Sequence, residues 1–148
     1  MFMTRTRALA AAAALAAGGS LIAASPAVAY YSPPLIMVAE PQSPARLVAG
    51  GAAIDVTVEY SCTATDGMSL SLDVAQKVGR KVATGYAYDY VTCNRRTQKT
   101  VLRVKSTGTA FGRGKAAVTT ELSGCYSPDY WWGTCGDDQM DDVIRVKK

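Results

Sequence analysis

Ile54-Asp55-Val56-Thr57-Val58-Glu59-Tyr60-Ser61-Cys62 decides the fold. Ile54, Val56, Val58, Tyr60 and Cys62 alternate with Asp55, Thr57, Glu59 and Ser61, the period of two expected of a strand with one buried and one wet face. The device returns at once: Leu70, Leu72, Val74, Gln76 and Val78 stand against Ser69, Ser71, Asp73 and Lys77. Asp66-Gly67 is a turn signal between the two runs, and Gly79-Arg80 ends the second.

Further along, Val82 to Cys93 reads as a third strand with Tyr86, Tyr88 and Tyr90 on one face. Thr100, Leu102 and Val104 form the buried side of a fourth, with Lys99, Arg103 and Lys105 opposite and Val101 set to touch a neighbouring element. Ala116, Val118, Thr120 and Leu122 give a fifth, and Val143 to Val146 a last one with Ile144 and Val146 inward. No stretch after residue 29 carries a 3.6-residue period. Short strands at regular spacing predict an all-β domain, an immunoglobulin-like antiparallel β-sandwich of about seven strands.

Toward the N-terminus the pattern changes. Arg5 and Arg7 precede an Ala/Leu-rich run from Ala8 to Ala24, and Ala27-Val28-Ala29 supplies the small residues of a cleavage site. Residues 1–29 are therefore expected to be a cleaved signal peptide; Gly18-Gly19-Ser20 interrupts the run, which argues against a membrane anchor. No cysteine follows the run to carry a lipid, and Ile144 to Lys148 adds no second apolar span. The expectation is a secreted, extracellular protein with no membrane attachment after cleavage. Residues 30–45 contain Pro33, Pro34, Pro41 and Pro44 and read as an extended lead, with Leu35 to Val38 docking as an edge strand. Residues 46–148 are read as one disulfide-braced domain.

The formal charge of +4 falls to +2 once Arg5 and Arg7 are removed, too little to argue for nucleic acid as a partner. The distribution is more uneven than the sum. Ten Lys or Arg lie between Lys77 and Lys115 against the single acid Asp89, whereas Glu121 to Asp142 holds six acids and no base. The simplest reading is solvated strand faces, and steering of a charged partner is the other. The ridge Lys99, Arg103 and Lys105, helped by Arg95 and Arg96, is expected to shield an edge strand rather than to meet an anionic polymer.

In a secreted chain Cys62, Cys93, Cys125 and Cys135 are disulfide cysteines rather than metal ligands, and four allow three pairings. Cys62–Cys93 with Cys125–Cys135 is favoured, with the crossed pairings open. Loop entropy would make these worth about 3.7 and about 2.8 kcal/mol.

The chain contains no histidine, which removes the commonest general base, the His-dependent triads and the usual zinc ligand. Asp137-Asp138 and Asp141-Asp142 show no sign of the cleft that glycosidase carboxylates need. With Asp129 they are hard oxygen ligands, but their spacing matches no EF-hand loop; an acidic loop that keeps the sheet end soluble is the plainer reading, and calcium stays open. Gly108 to Lys115 fails as a phosphate loop at Thr109 and Ala116 and is read as a bulge or turn. No catalytic, cofactor-binding or metal-ligating residue is expected.

What remains is aromatic. Cys125-Tyr126-Ser127-Pro128-Asp129-Tyr130-Trp131-Trp132-Gly133-Thr134-Cys135 holds both tryptophans inside a loop that one disulfide would close. A cyclised loop loses little entropy on binding, and flat rings beside carboxylates suit sugars or a protein's anchor pocket. Tyr130, Trp131 and Trp132 are thus candidate ligand contacts; the competing reading is that an indole folds back to plug the end of the sandwich. Tyr86, Tyr88 and Tyr90 are further candidates, although tyrosine is also a favoured purely structural strand residue.

Val58-Glu59-Tyr60-Ser61-Cys62, Gln76, Gly85 ahead of Cys93, and Phe111 through Gly114 to Ala116 ahead of Cys125 fall in an order that resembles a group of small secreted actinobacterial proteins with one immunoglobulin-like β-sandwich domain. The resemblance covers most of residues 45–148 and leaves out the Trp131-Trp132 loop. It implies the sandwich fold and an extracellular compartment, and it lends no catalytic residue. The cysteine spacing differs from that of secreted two-disulfide inhibitors and chromophore-carrying apoproteins of similar bacteria.

The functional expectation is a monomeric, non-enzymatic secreted protein that binds an extracellular polysaccharide, such as one of the cell wall, or an extracellular protein through the Cys125–Cys135 loop. A protease inhibitor presenting that loop as a substrate mimic is the alternative, and a carboxylate-based hydrolase the third.

Overall fold

A computed structural model describes residues 36–63, 67–126 and 134–148. Residues 1–35, which include those expected to form the signal peptide and most of the extended lead before Ile36, residues 64–66 of the first turn and residues 127–133 lie outside the described residues. Eight strands follow one another: β1 (Met37–Pro41), β2 (Ala45–Val48), β3 (Ala53–Cys62), β4 (Met68–Val78), β5 (Lys81–Val91), β6 (Gln98–Ser106), β7 (Gly114–Tyr126) and β8 (Thr134–Lys147). The fold is all-β, as the alternation predicts.

The strands hydrogen-bond in the order β1-β3-β2-β8-β7-β4-β5-β6, and β6 returns to pair with β3, so the seven strands β2 to β8 close a ring. Every pairing is antiparallel except β2 with β8. The ring is uneven. β7 and β8 stay paired from Gly114↔Val146 to Tyr126↔Thr134, and β3 and β6 from Ala53↔Lys105 to Tyr60↔Gln98. By contrast β2 meets β8 only at Ala45↔Val146 and Arg46↔Lys147, and β5 meets β6 only at Gly85↔Ser106 and Tyr86↔Lys105.

Period-two side chains fill the interior. Ile54, Val56 and Val58 of β3, Met68, Leu70 and Leu72 of β4, Leu102 and Val104 of β6, Val118 and Leu122 of β7 and Ile144 of β8 are all buried. Each large apolar side chain removed from water contributes about 1.5–3 kcal/mol. Gly85 permits the β5–β6 seam, because a Cβ there would run into the carbonyl oxygen of Lys105 and Val104 Cγ1. Two rows along the β4–β5 ladder, Gln76 is buried and both ends of its amide bind Gly112: Nε2 donates to the carbonyl oxygen at 3.0 Å, and the Gly112 N–H donates to Oε1 at 2.8 Å. Phe111 is buried beside it and its N–H donates to the Gly51 carbonyl at 2.8 Å. The glycine-rich stretch is thus a pinned connection into β7.

Three features differ from the sequence reading. The edge strand expected at Leu35 to Val38 is formed slightly later, as β1, and packs into the sheet ahead of residue 46: β1 pairs with β3 from Met37↔Cys62 to Pro41↔Val58, with Met37, Ala39 and Pro41 buried. Pro41 and Pro44 fall at the break between β1 and β2, where a missing donor is tolerated. Second, the acidic stretch read as a loop belongs to β8, because in-register pairing with β7 overrides the poor strand preference of Asp. Third, Asp55, placed on the wet face, is buried, with Arg46 and Arg103 closing over it.

The two disulfides join Cys62 to Cys93 and Cys125 to Cys135. They are compatible with an oxidising extracellular compartment. Among the described residues no helix is long and apolar enough to cross a membrane.

A tyrosine and carboxylate face as candidate functional site

Strand parity puts Tyr86, Tyr88 and Tyr90 on the outer face of β5 while Ala83, Gly85 and Val91 point inward. The tyrosines are 54%, 48% and 70% exposed, which places them among the largest apolar surfaces left open by the fold. Register then extends the face strand by strand. Tyr86 lies opposite Asp73, which lies opposite Thr119 and then Asp141. Tyr88 leads to Ser71, Glu121 and Gln139, and Tyr90 to Ser69, Ser123 and Asp137. With strands about 4.8 Å apart, the four columns span about 14 Å.

The resulting surface has aromatic rings along one side, hydroxyls with the carboxylates of Asp73 and Glu121 through the middle, and Asp137, Gln139 and Asp141 at the far side. None of these twelve positions is basic. Thr119 Oγ1 donates to Asp141 Oδ1 at 2.6 Å, which orients one carboxylate. The rings of Tyr88 and Tyr90 stand edge to face with centroids 5.1 Å apart. The Tyr88 phenol is pushed up to about 12, first through its hydroxyl's interaction with Tyr90, then by desolvation and the proximity of Tyr90, Tyr86 and Asp89. It therefore stays a neutral donor and acceptor throughout the physiological range.

Two shallow recesses end the face. One, of about 300 Å³, lies between Asp73, Thr84, Tyr86, Thr107 and Thr119. The other, of about 570 Å³, lies between Ser69, Tyr90, Glu121, Ser123 and the Cys125–Cys135 disulfide. Cys125 and Cys135 are paired directly opposite each other in the β7–β8 register. β7 ends and β8 begins at the Tyr90 end of the face; Tyr130, Trp131 and Trp132, which lie between them in sequence, are outside the described residues.

No family model, curated protein or solved structure matches the chain.

The other charged groups singled out from the sequence fall elsewhere. Lys99 binds Glu59 at 3.1 Å, and Arg103 holds Asp55 through Nε at 2.7 Å and Nη2 at 3.0 Å, so two cations of the basic ridge are paired across β3–β6. Asp138 and Asp142 stand on the face of β8 opposite Asp137 and Asp141. Among the described residues no three metal-capable side chains converge. Asp129 lies outside them. Sequence reasoning found the tyrosines by strand parity but missed Asp73, Glu121, Asp137 and Asp141 as their neighbours, since only register reveals that.

Proposed function

We propose that this chain is a secreted, non-enzymatic binding protein whose tyrosine and carboxylate face takes a neutral extracellular polysaccharide. The observation that carries the reading is the exposure of three tyrosines in one row, flanked in register by hydroxyls and carboxylates with no base among them. Sugar rings stack on flat aromatic faces, and their hydroxyls donate to carboxylate oxygens. Absence of a base on the face disfavours an anionic glycan. The open, shallow shape suits a chain lying across it rather than a small molecule enclosed in a pocket.

The fold we assign to it is an immunoglobulin-like sandwich, with β1, β2, β3 and β6 in one layer and β8, β7, β4 and β5 in the other. The two-pair seams support this, since a true barrel would pair its strands along their length. So does the way β1 and β2 follow one edge of β3 before β2 turns to run parallel with β8. The binding face would be the outer side of the layer formed by β8, β7, β4 and β5.

A glycan array and a pull-down on insoluble cell-wall polysaccharide test the function. Binding that Tyr88→Ala and Tyr90→Ala weaken at least tenfold with an unchanged melting temperature supports it. Retention of a protein rather than a glycan by the same face would replace the ligand class, and binding indifferent to both substitutions would remove the face.

A further inference from the structure

At the other end of the β7–β8 hairpin the charge inverts. Lys115 and Arg145 are directly opposite each other in the register, on the same outer face. Like charges so placed are destabilising. Lys147, the last residue of β8, shares the parity of Arg145, and Arg113 immediately precedes Gly114 at the start of β7. On β4, Lys77 projects from that face two residues past the last β4–β7 pair, Ala75↔Ala117. None of these five cations makes an ion pair among the described residues, whereas Arg46, Lys99 and Arg103 do. In this register the first carboxylate on the same face is Asp141, two rows below Arg145.

The surface there is concave. A recess of about 490 Å³ has seven lining residues, and Arg113, Lys115, Arg145, Lys147 and Lys148 are five of them; none is acidic. Successive same-face residues on a strand stand about 6.8 Å apart and cross-strand partners about 5 Å, so the cations form a two-column ladder of closely spaced charge. A single monovalent anion would meet only one or two of these. A flexible chain with an anion at every repeat would meet all of them and release counterions as it bound. Arg forks and Lys point charges together suit phosphate oxygens.

We propose that this end of the hairpin is a second binding site, for a single-chain extracellular polymer of phosphate groups. It is independent of the tyrosine face and uses different residues.

Fluorescence anisotropy with labelled medium-chain polyphosphate, across a range of NaCl concentrations, tests it. Affinity should fall with salt, and Lys115→Gln/Arg145→Gln should weaken binding about tenfold at low salt and flatten the log–log slope by about 1.4, two cations' worth for a single chain. The same double variant should melt no lower than the parent, because it removes a like-charge pair; this separates lost binding from lost folding. Arg95→Gln/Arg96→Gln, which removes equal charge elsewhere, should bind as the parent does. Equal weakening by both double variants would mean that net charge alone is responsible and would overturn the site. So would competition by inorganic phosphate as effective per phosphate as the polymer, or binding to phosphatidylglycerol vesicles without binding to the polymer.

Discussion

Replacing Asp55 by Asn should lower the melting temperature by about 8 °C at pH 7 and by almost nothing at pH 2. Asp55 is only 8% exposed and sits between two guanidinium groups, one from each strand that flanks β3. Arg46 Nη2 donates to Oδ2 at 2.9 Å, and Arg103 donates through Nε to Oδ1 at 2.7 Å and through Nη2 to Oδ2 at 3.0 Å. Hydrogen bonding to Arg103 is the largest influence on the carboxyl; burial opposes it, Arg46 reinforces it, and the group is held at about 2 against an ordinary 3.8. That difference sets a ceiling of about 2.4 kcal/mol on the stability the charge contributes at neutral pH. Arg46 and Arg103 are 69% and 57% exposed, so solvent screening trims this to about 1–2 kcal/mol. The Asn amide adds a donor facing two donors, which brings the total to about 2 kcal/mol, or about 8 °C for a domain of this size. The carboxyl is depressed in the folded state, so its contribution is complete above about pH 5. It then fades as pH falls between the unfolded and folded values, and is gone below about 2. Thermal melts by circular dichroism of both proteins at pH 7, 5, 3.5 and 2 measure the gap directly. The acids common to both proteins cancel in the difference. A gap that holds constant down to pH 2, or that is under 2 °C at pH 7, would refute the electrostatic account of this three-strand clamp.

Three further substitutions probe the packing, each read by chemical denaturation. Gln76→Ala should cost about 2–3 kcal/mol, because it strands both the N–H and the carbonyl of Gly112 and frees the connection into β7. Gly85→Ala should cost about 2–3 kcal/mol by wedging β5 from β6, with β6 amides near Val104 and Lys105 showing the largest NMR shifts. Thr120 is fully buried and its hydroxyl has no partner among the described residues, so Thr120→Val should raise stability by about 0.5–1 kcal/mol.

Some of this was open to reading from the chain alone. Leu70, Leu72 and Val74 announced a half-buried strand because alternation is a local property, and the same parity put Tyr86, Tyr88 and Tyr90 on one face. β8 was largely hidden, since Gly136-Asp137-Asp138-Gln139 has neither apolar alternation nor strand preference and is held extended by its partner. Asp55 looked wet because nothing local distinguishes it from Thr57; its burial depends on residues 9 and 48 positions away. Lys115 and Arg145 are likewise neighbours only through the hairpin. Whatever depends on which strand lies beside which requires the register.

The acids of β8 also bear on how the protein behaves when concentrated. From Thr134 to Ile144 the outer edge of that strand has no strand partner among the described residues, a long row of backbone donors and acceptors of the kind that recruits other chains. Asp137 and Asp141 project from one side of it, Asp138 and Asp142 from the other. A second copy adding itself parallel and in register would have to stack carboxylate against carboxylate on both faces. The four carboxylates thus guard an edge that would otherwise recruit a second strand.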